Sequence, residues 1–272
     1  MATITYLSLA GDFAPHVPGV PEPVMEAYIR KVVVDLCDRA KVWRVPFTGQ
    51  ELSQGVWQYT LVAPIAQTEL SSILDAKVYL SSAAKWGDVK VLTNEQAFAL
   101  YPSYPDLDGF TWAGDWDVAA AYVENDAVDD GAGTVYVCLV GNTGEALSNT
   151  TYWKATSITL GYPKHIIRFG ETTFSIAPIP DDADTYTVYL VGAVRPTSDS
   201  SQFESTIYTG FRRAIYHGVL HELMSVPGVP WTNDKKAEYH GKQWEYMVNA
   251  ARARANKGFG RADVAVVQRP WA

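Results

Sequence analysis

The hydrophobic period changes twice along this chain, and that change constrains the fold more than any other feature. From Met25 the apolar residues Met25, Ile29, Val32, Val33, Leu36, Cys37 and Ala40 recur at i, i+3, i+4 and i+7, with Arg30, Lys31, Asp35, Asp38 and Arg39 mostly opposite, which predicts a helix over 23–41. The lead-in Val17-Pro-Gly-Val-Pro-Glu-Pro23 suits its start, because the N–H that proline lacks would be unpaired in a first turn anyway. After Trp43 the period shortens. Runs at 56–62, 72–80, 90–92, 165–176 and 186–194, separated by Gly, Pro, Asp and Ser, read as antiparallel strands. The last is rich in β-branched and aromatic residues and closes at Arg195-Pro196, where proline cannot donate to a ladder. Between them, 93–100 reads as a short helix with Thr93 capping and Gln96 at the capping-box position.

Helical spacing returns after Ser201, with Phe203, Ile207, Phe211, Ala214, Ile215, Val219 and Leu223 on one stripe and an end at Pro227-Gly-Val-Pro230. Thr232 or Asn233 can cap a third helix, in which Tyr239, Gln243, Tyr246, Met247, Ala250 and Arg254 share one face before Gly258 ends it. The expected fold is α+β: three long helices (23–41, 202–226 and 233–257) packed with an antiparallel β layer (strands within 56–92 and 165–194), plus a small inserted all-β module. The tail 258–272 alternates weakly through Asp263-Val-Ala-Val-Val-Gln268 and ends in Arg-Pro-Trp-Ala, so it reads as an extended arm that docks on a neighbour or folds back as a strand on its own domain.

Composition narrows the function. Nine Trp and sixteen Tyr in 272 residues favour packed interfaces or ligand platforms over a solvated chain. A net charge of −8 disfavours a protein that grips nucleic acid by its phosphates, while an acidic wall past which DNA slides without sticking is compatible with it. Cys37 and Cys138 lack CxxC spacing and are expected as buried free thiols. The first residues carry no basic region followed by an apolar stretch, and no run approaches 18 apolar residues, so neither secretion nor a membrane span is expected.

The segment 110–156 has its own grammar: Trp112, Trp116, Tyr122, Asn125-Asp126, Asp130-Gly131, Tyr136-Val-Cys138 and Trp153, with Lys154 its sole Lys or Arg. Asp130-Gly131 between Val128 and Val135 is a hairpin signal. From Trp112 to Trp153 the pattern resembles the small chitin-binding-like modules appended to phage tail and structural proteins. That resemblance implies glycan stacking by Trp112, Trp116, Tyr122, Tyr136 and Trp153, although a unit this small needs about three of the five for its core. It reads as an insertion in a host formed by 1–109 and 157–257.

The host resembles the head-to-tail adaptor (connector) proteins of tailed bacteriophages. The match rests on Val17-Pro-Gly-Val-Pro-Glu-Pro23 leading to Cys37-Asp-Arg-Ala-Lys-Val-Trp43, on Phe174-Ser-Ile-Ala-Pro-Ile-Pro180 through Val194-Arg-Pro196 to Met224-Ser-Val-Pro-Gly-Val-Pro-Trp231, and on the Ala/Arg-rich 250–256. It implies a non-enzymatic virion protein of the phage neck, made in the bacterial cytoplasm. It further implies a homo-oligomeric ring, commonly of twelve copies, that binds the portal protein and a tail or nozzle protein and passes DNA through its bore without specific binding. No cofactor and no membrane partner is implied. The competing reading is a carbohydrate-binding protein acting through 110–156 on a surface glycan.

His217 and His221 lie four apart, with Glu222 or His240 as possible further metal ligands, but His-Gly-Val-Leu-His-Glu matches neither order of the metallopeptidase motifs, so no metal is expected. Asp181-Asp-Ala-Asp184 and Asp129-Asp-Gly131 lack the closing Glu of a calcium loop and read as turns. No phosphate cradle, nucleophile elbow or Cys/His nucleophile pair is present, so no catalytic residue is assigned. Arg252, Arg254, Lys257 and Arg261, with Val264, Val266 and Trp271 of the tail, are the expected assembly contacts; their plainer role is to complement a helix dipole and stay solvated.

Overall fold

A computed structural model describes residues 2–101, 110–168 and 172–257 of the chain. Among them are five α-helices: α1 Ala10–Phe13, α2 Glu22–Ala40, α3 Asn94–Leu100, α4 Ser205–Met224 and α5 Asp234–Asn256. The chain divides into two compact units. The first draws its described residues from Met1–Arg44, Ile65–Ser71 and Ala193–Ala272, and the second is Val45–Pro64 with Ser72–Gly192.

The first unit is helical. All seven apolar residues of the α2 stripe are buried, and each large side chain so removed from water stabilises the unit by about 1.5–3 kcal/mol. The helix ends where Lys41 turns left-handed at φ 52° and sends its N–H to the Cys37 carbonyl. In α4, Ile207, Ala214, Ile215, Gly218, Val219, Leu220, Leu223 and Met224 are buried, and the helix breaks at Phe211 (φ −130°, ψ 20°). Asn233 caps α5 by accepting from the Lys236 N–H at 3.1 Å. Where the three helices meet, a Cβ added to Gly218 would stand 2.6 Å from Val32 and 2.8 Å from Trp244, so a hydrogen there is what lets them close. Arg39 adds a forked bond to Glu245 across α2 and α5, at 2.9 and 2.5 Å. An antiparallel pair, Thr3–Thr5 with Gln202–Glu204, completes this unit beside the stacked rings of Tyr6 and Phe203.

The face that packs α5 is not the aromatic one that its periodicity suggests. Ala237, Trp244, Val248, Ala251 and Ala255 are buried, whereas Tyr239 and Tyr246 are 56% and 71% exposed. Small residues allow the backbones to approach, and Trp244 fills the space over Gly218, so the helix is held by its alanines and leaves its tyrosines in water.

The second unit is built from strands, but not as one layer. One sheet runs Gln58–Thr60, Thr173–Ala177, His165–Arg168, Lys90–Leu92, and another runs Trp153–Thr159, Thr134–Cys138, Asp126–Asp129, Thr111–Asp115. In each the last pairing is parallel and the others antiparallel. Ala121–Tyr122 with Asn142–Thr143 forms a separate two-stranded piece, and Lys85–Asp88 pairs with the end of Thr68–Leu80. Helix α3 carries the capping box between Thr93 and Gln96, with bonds of 3.3 and 3.2 Å.

The expected fold class is therefore corrected. Three long helices do not pack on a single antiparallel layer with a self-contained module attached. Among the described residues there are five helices, the strands are dispersed over several small sheets, and at least two pairings are parallel. The physical reason is strand length. Most strands have two to five residues, too few to carry a wide sheet, and alternation marks a strand without naming its partner. Nor does 110–156 bury only itself. Ala127, Val135 and Val137 share a core with Leu92, Ala97, Ile167, Ala177 and Ile179, while Tyr122, Val128, Cys138 and Trp153 form a second one. Alternate residues of the two central strands thus serve two cores, as the period of two requires.

Candidate functional site

Three groupings of side chains bear on function: the aromatic residues of 110–156, the outer face of α5, and a histidine cluster between α4 and α5.

Of the five aromatics, Tyr122 and Trp153 are 5% and 1% exposed and lie at the centre of the second core, edge to face at 5.1 Å. The Trp153 indole N–H donates to the Glu145 carbonyl at 3.0 Å, and the Tyr122 hydroxyl accepts from the Asp117 N–H at 2.6 Å. Trp116 and Tyr136 are half-buried against the same core, whereas Trp112 is half-buried against the other, its indole lying where a side chain on Gly55 would stand. The pentad is thus divided between two cores. The Trp116 indole nitrogen is buried without a hydrogen-bond partner. The turn does form as its residues suggest, with Asp130 Oδ1 accepting from Ala132 and Thr134 N–H at 2.8 and 2.9 Å and Gly131 at φ 76°.

An exposed aromatic row in the second unit was missed. Tyr79 and Trp86 face each other across a strand pair at 5.1 Å, and Tyr189 flanks Trp86 at 5.0 Å. Trp86 is 52% and Tyr189 41% exposed. The signal that finds Tyr189 is alternation along Tyr186–Pro196, where Val188 and Leu190 are buried and Tyr189 and Val191 are not.

On α5, Arg252 is spent within the fold: its Nε donates to the Arg39 carbonyl at 2.8 Å, satisfying the C-terminal end of α2. Arg254 lies over the Phe211 ring at 5.9 Å, and Lys257 is the C-cap of α5. Arg261, Val264, Val266 and Trp271, with the whole tail 258–272, lie outside the described residues. Beside Arg254 opens a cleft of about 510 Å³ whose floor is Phe211, Ala214, Met247, Ala250 and Ala251 and whose rim carries Arg212, Arg213 and Arg254. A second cleft of about 520 Å³, along α2, is lined by charges that pair with one another, Lys31 with Glu222 at 2.7 Å and Arg195 with Asp38 at 3.6 Å, and Asp38 also meets Ser71 and Lys41. Burial alone would push the Asp38 carboxyl upward, but Ser71, Lys41 and Arg195 together hold it below the ordinary value.

The histidines regroup. His217 Nδ1 stands 2.8 Å from His240 Nδ1, while His221 turns away to the Ala237 carbonyl at 2.9 Å. Tyr216 and Tyr239 flank the pair with edge-on rings. Burial lowers the His217 pKa, and burial together with His217, His16, Lys236 and His221 lowers that of His240 to about 4. Both imidazoles are accordingly neutral at pH 7. Among the described residues no group of three or more His, Cys, Asp or Glu is placed to hold a metal ion, and Glu222 is turned to Lys31. Cys37 and Cys138 are both buried and unbridged. No described helix is long and apolar enough to cross a membrane.

No protein-family model matches the chain, and no curated protein matches it in sequence.

Proposed function

We propose that the chain is a structural virion protein, a head-to-tail adaptor that works as one subunit of a ring in the neck of a tailed bacteriophage. In this reading it binds the portal on one side and a tail or nozzle protein on the other, lets DNA pass through the bore, and carries out no bond chemistry.

The observation that carries the reading is the outer face of α5. A helix whose small-residue face is packed leaves Tyr246 71% exposed, one residue before the Met247 that lines, with Ala250 and three arginines, an open cleft. Tyr, Met and Arg are the residues enriched in protein interfaces, and large exposed aromatic side chains on a helix are costly to leave unused. The arginine rim favours an acidic partner surface, and Arg212 already makes one such pair within the fold, with Asp12 at 3.0 Å. A cyclic ring needs such a patch on one side of each protomer and a complementary one on the other.

The test is electron microscopy of the protein mixed with a phage portal protein. The expected result is a stacked ring of about a dozen copies, a number taken from the adaptor resemblance and the cyclic closure of such rings. The variant Tyr246→Ser should fold as the parent does, within about 0.5 kcal/mol as surface changes usually are, and form no ring. A protein that stays monomeric with the portal present, yet shifts its Trp fluorescence with chitin oligomers, would mean that the carbohydrate-binding reading is the right one.

A further inference from the structure

The histidine pair between α4 and α5 supports an inference independent of assembly. Its two Nδ1 atoms come from facing helices, 23 residues apart in the chain, and converge to 2.8 Å. One hydrogen shared between them satisfies the pair, but so does a metal ion. Metal–nitrogen bonds to histidine are about 2.05 Å, so two donors at this separation subtend roughly 86° at the ion. That angle suits square-planar or octahedral coordination and departs from the tetrahedral angle that zinc prefers.

We propose that His217 and His240 chelate a divalent transition-metal ion of tetragonal or octahedral preference, Cu(II) or Ni(II), which clips α4 to α5. Both rings are half-buried, so solvent completes the coordination sphere. Binding moves the shared proton from Nδ1 to Nε2 of its own ring, leaving two neutral imidazoles as ligands and releasing no net proton. Tyr216 and Tyr239 hold the rings from either side, which limits the reorganisation that binding requires. His221 takes no part, because its Nδ1 is engaged by the Ala237 carbonyl.

The experiment is thermal unfolding and calorimetric titration of protein without a polyhistidine tag, with Cu(II), Ni(II) and Zn(II) in turn. A ligand that binds only the folded state raises Tm by mass action, and at a hundredfold excess over Kd the rise for a domain of this size is about 5–10 °C. One Ni(II) or Cu(II) per chain, reversal by EDTA, loss in His217→Gln and in His240→Gln, and retention in His221→Gln would support the proposal. The glutamine variants keep a hydrogen-bonding side chain, and their unfolding without metal shows whether they are folded. In a Cu(II) electron paramagnetic resonance spectrum two nitrogen ligands are expected. No Tm rise, an equal rise in the His217→Gln, His240→Gln double variant, or tighter binding of Zn(II) than of Ni(II) would overturn it.

Discussion

Replacing Gly218 by valine is expected to cost about 3 kcal/mol or more and to lower the melting temperature of the helical unit by roughly 6–12 °C, as read by circular dichroism at 222 nm. The first carbon added at this position would enter the van der Waals shell of both Val32 and Trp244, at 2.6 and 2.8 Å. Val32 is 3% and Trp244 6% exposed, so a shift of either costs packing contacts. Relief must come from moving α4 away from α2 and α5, and that would open the core of all three. Gly210, on the same helix, gives the comparison, because a Cβ there meets nothing within 4 Å. Gly210→Ala should be neutral or stabilising by up to about 1 kcal/mol, through the smaller entropy of its unfolded chain. If Gly218→Val melted within 1 °C of the parent, the three-helix junction described above would be wrong.

How much of this could be read from the residues depends on what kind of contact is involved. The α2 stripe was legible because its seven apolar side chains are themselves the contact, and all are buried. The Thr93 and Gln96 capping box, the Asn233 cap and the Asp130-Gly131 turn were legible because each is closed within four residues. The packed face of α5 was not, since three of its five buried residues are Ala237, Ala251 and Ala255, and small residues carry little weight in a pattern of hydrophobicity. Strand partners were equally hidden. Lys90–Leu92 meets His165–Arg168 in parallel across more than 70 residues of intervening chain, and no local period encodes that closure. The same holds at the histidine cluster, where helical spacing pairs His217 with His221 while the hairpin between α4 and α5 brings His240 to it instead. Local chemistry was readable along the chain; the assignment of faces and partners required the tertiary fold.

Trp153→Ala is expected to be the most damaging single change in the second unit, at about 3–5 kcal/mol. The side chain is 1% exposed, rests edge-on against Tyr122, and closes the core formed with Val128 and Cys138. Removing it leaves a cavity the size of an indole, and it also strips the Glu145 carbonyl of the donor it meets at 3.0 Å. Trp153→Phe separates the two contributions. It refills much of the volume but restores no donor, so it should cost about 1–2 kcal/mol from the hydrogen bond and the residual void. Because Ala127, Val135 and Val137 face the other core, hydrogen exchange in the Trp153→Ala protein should rise first at Val128 and Cys138 and last at Ile167 and Ala177. Uniform loss of protection over both sets would mean that the two cores unfold as one cooperative body. A Trp153→Ala protein as stable as the parent, but altered in its response to chitin oligomers, would instead make Trp153 a ligand-facing residue and contradict its burial.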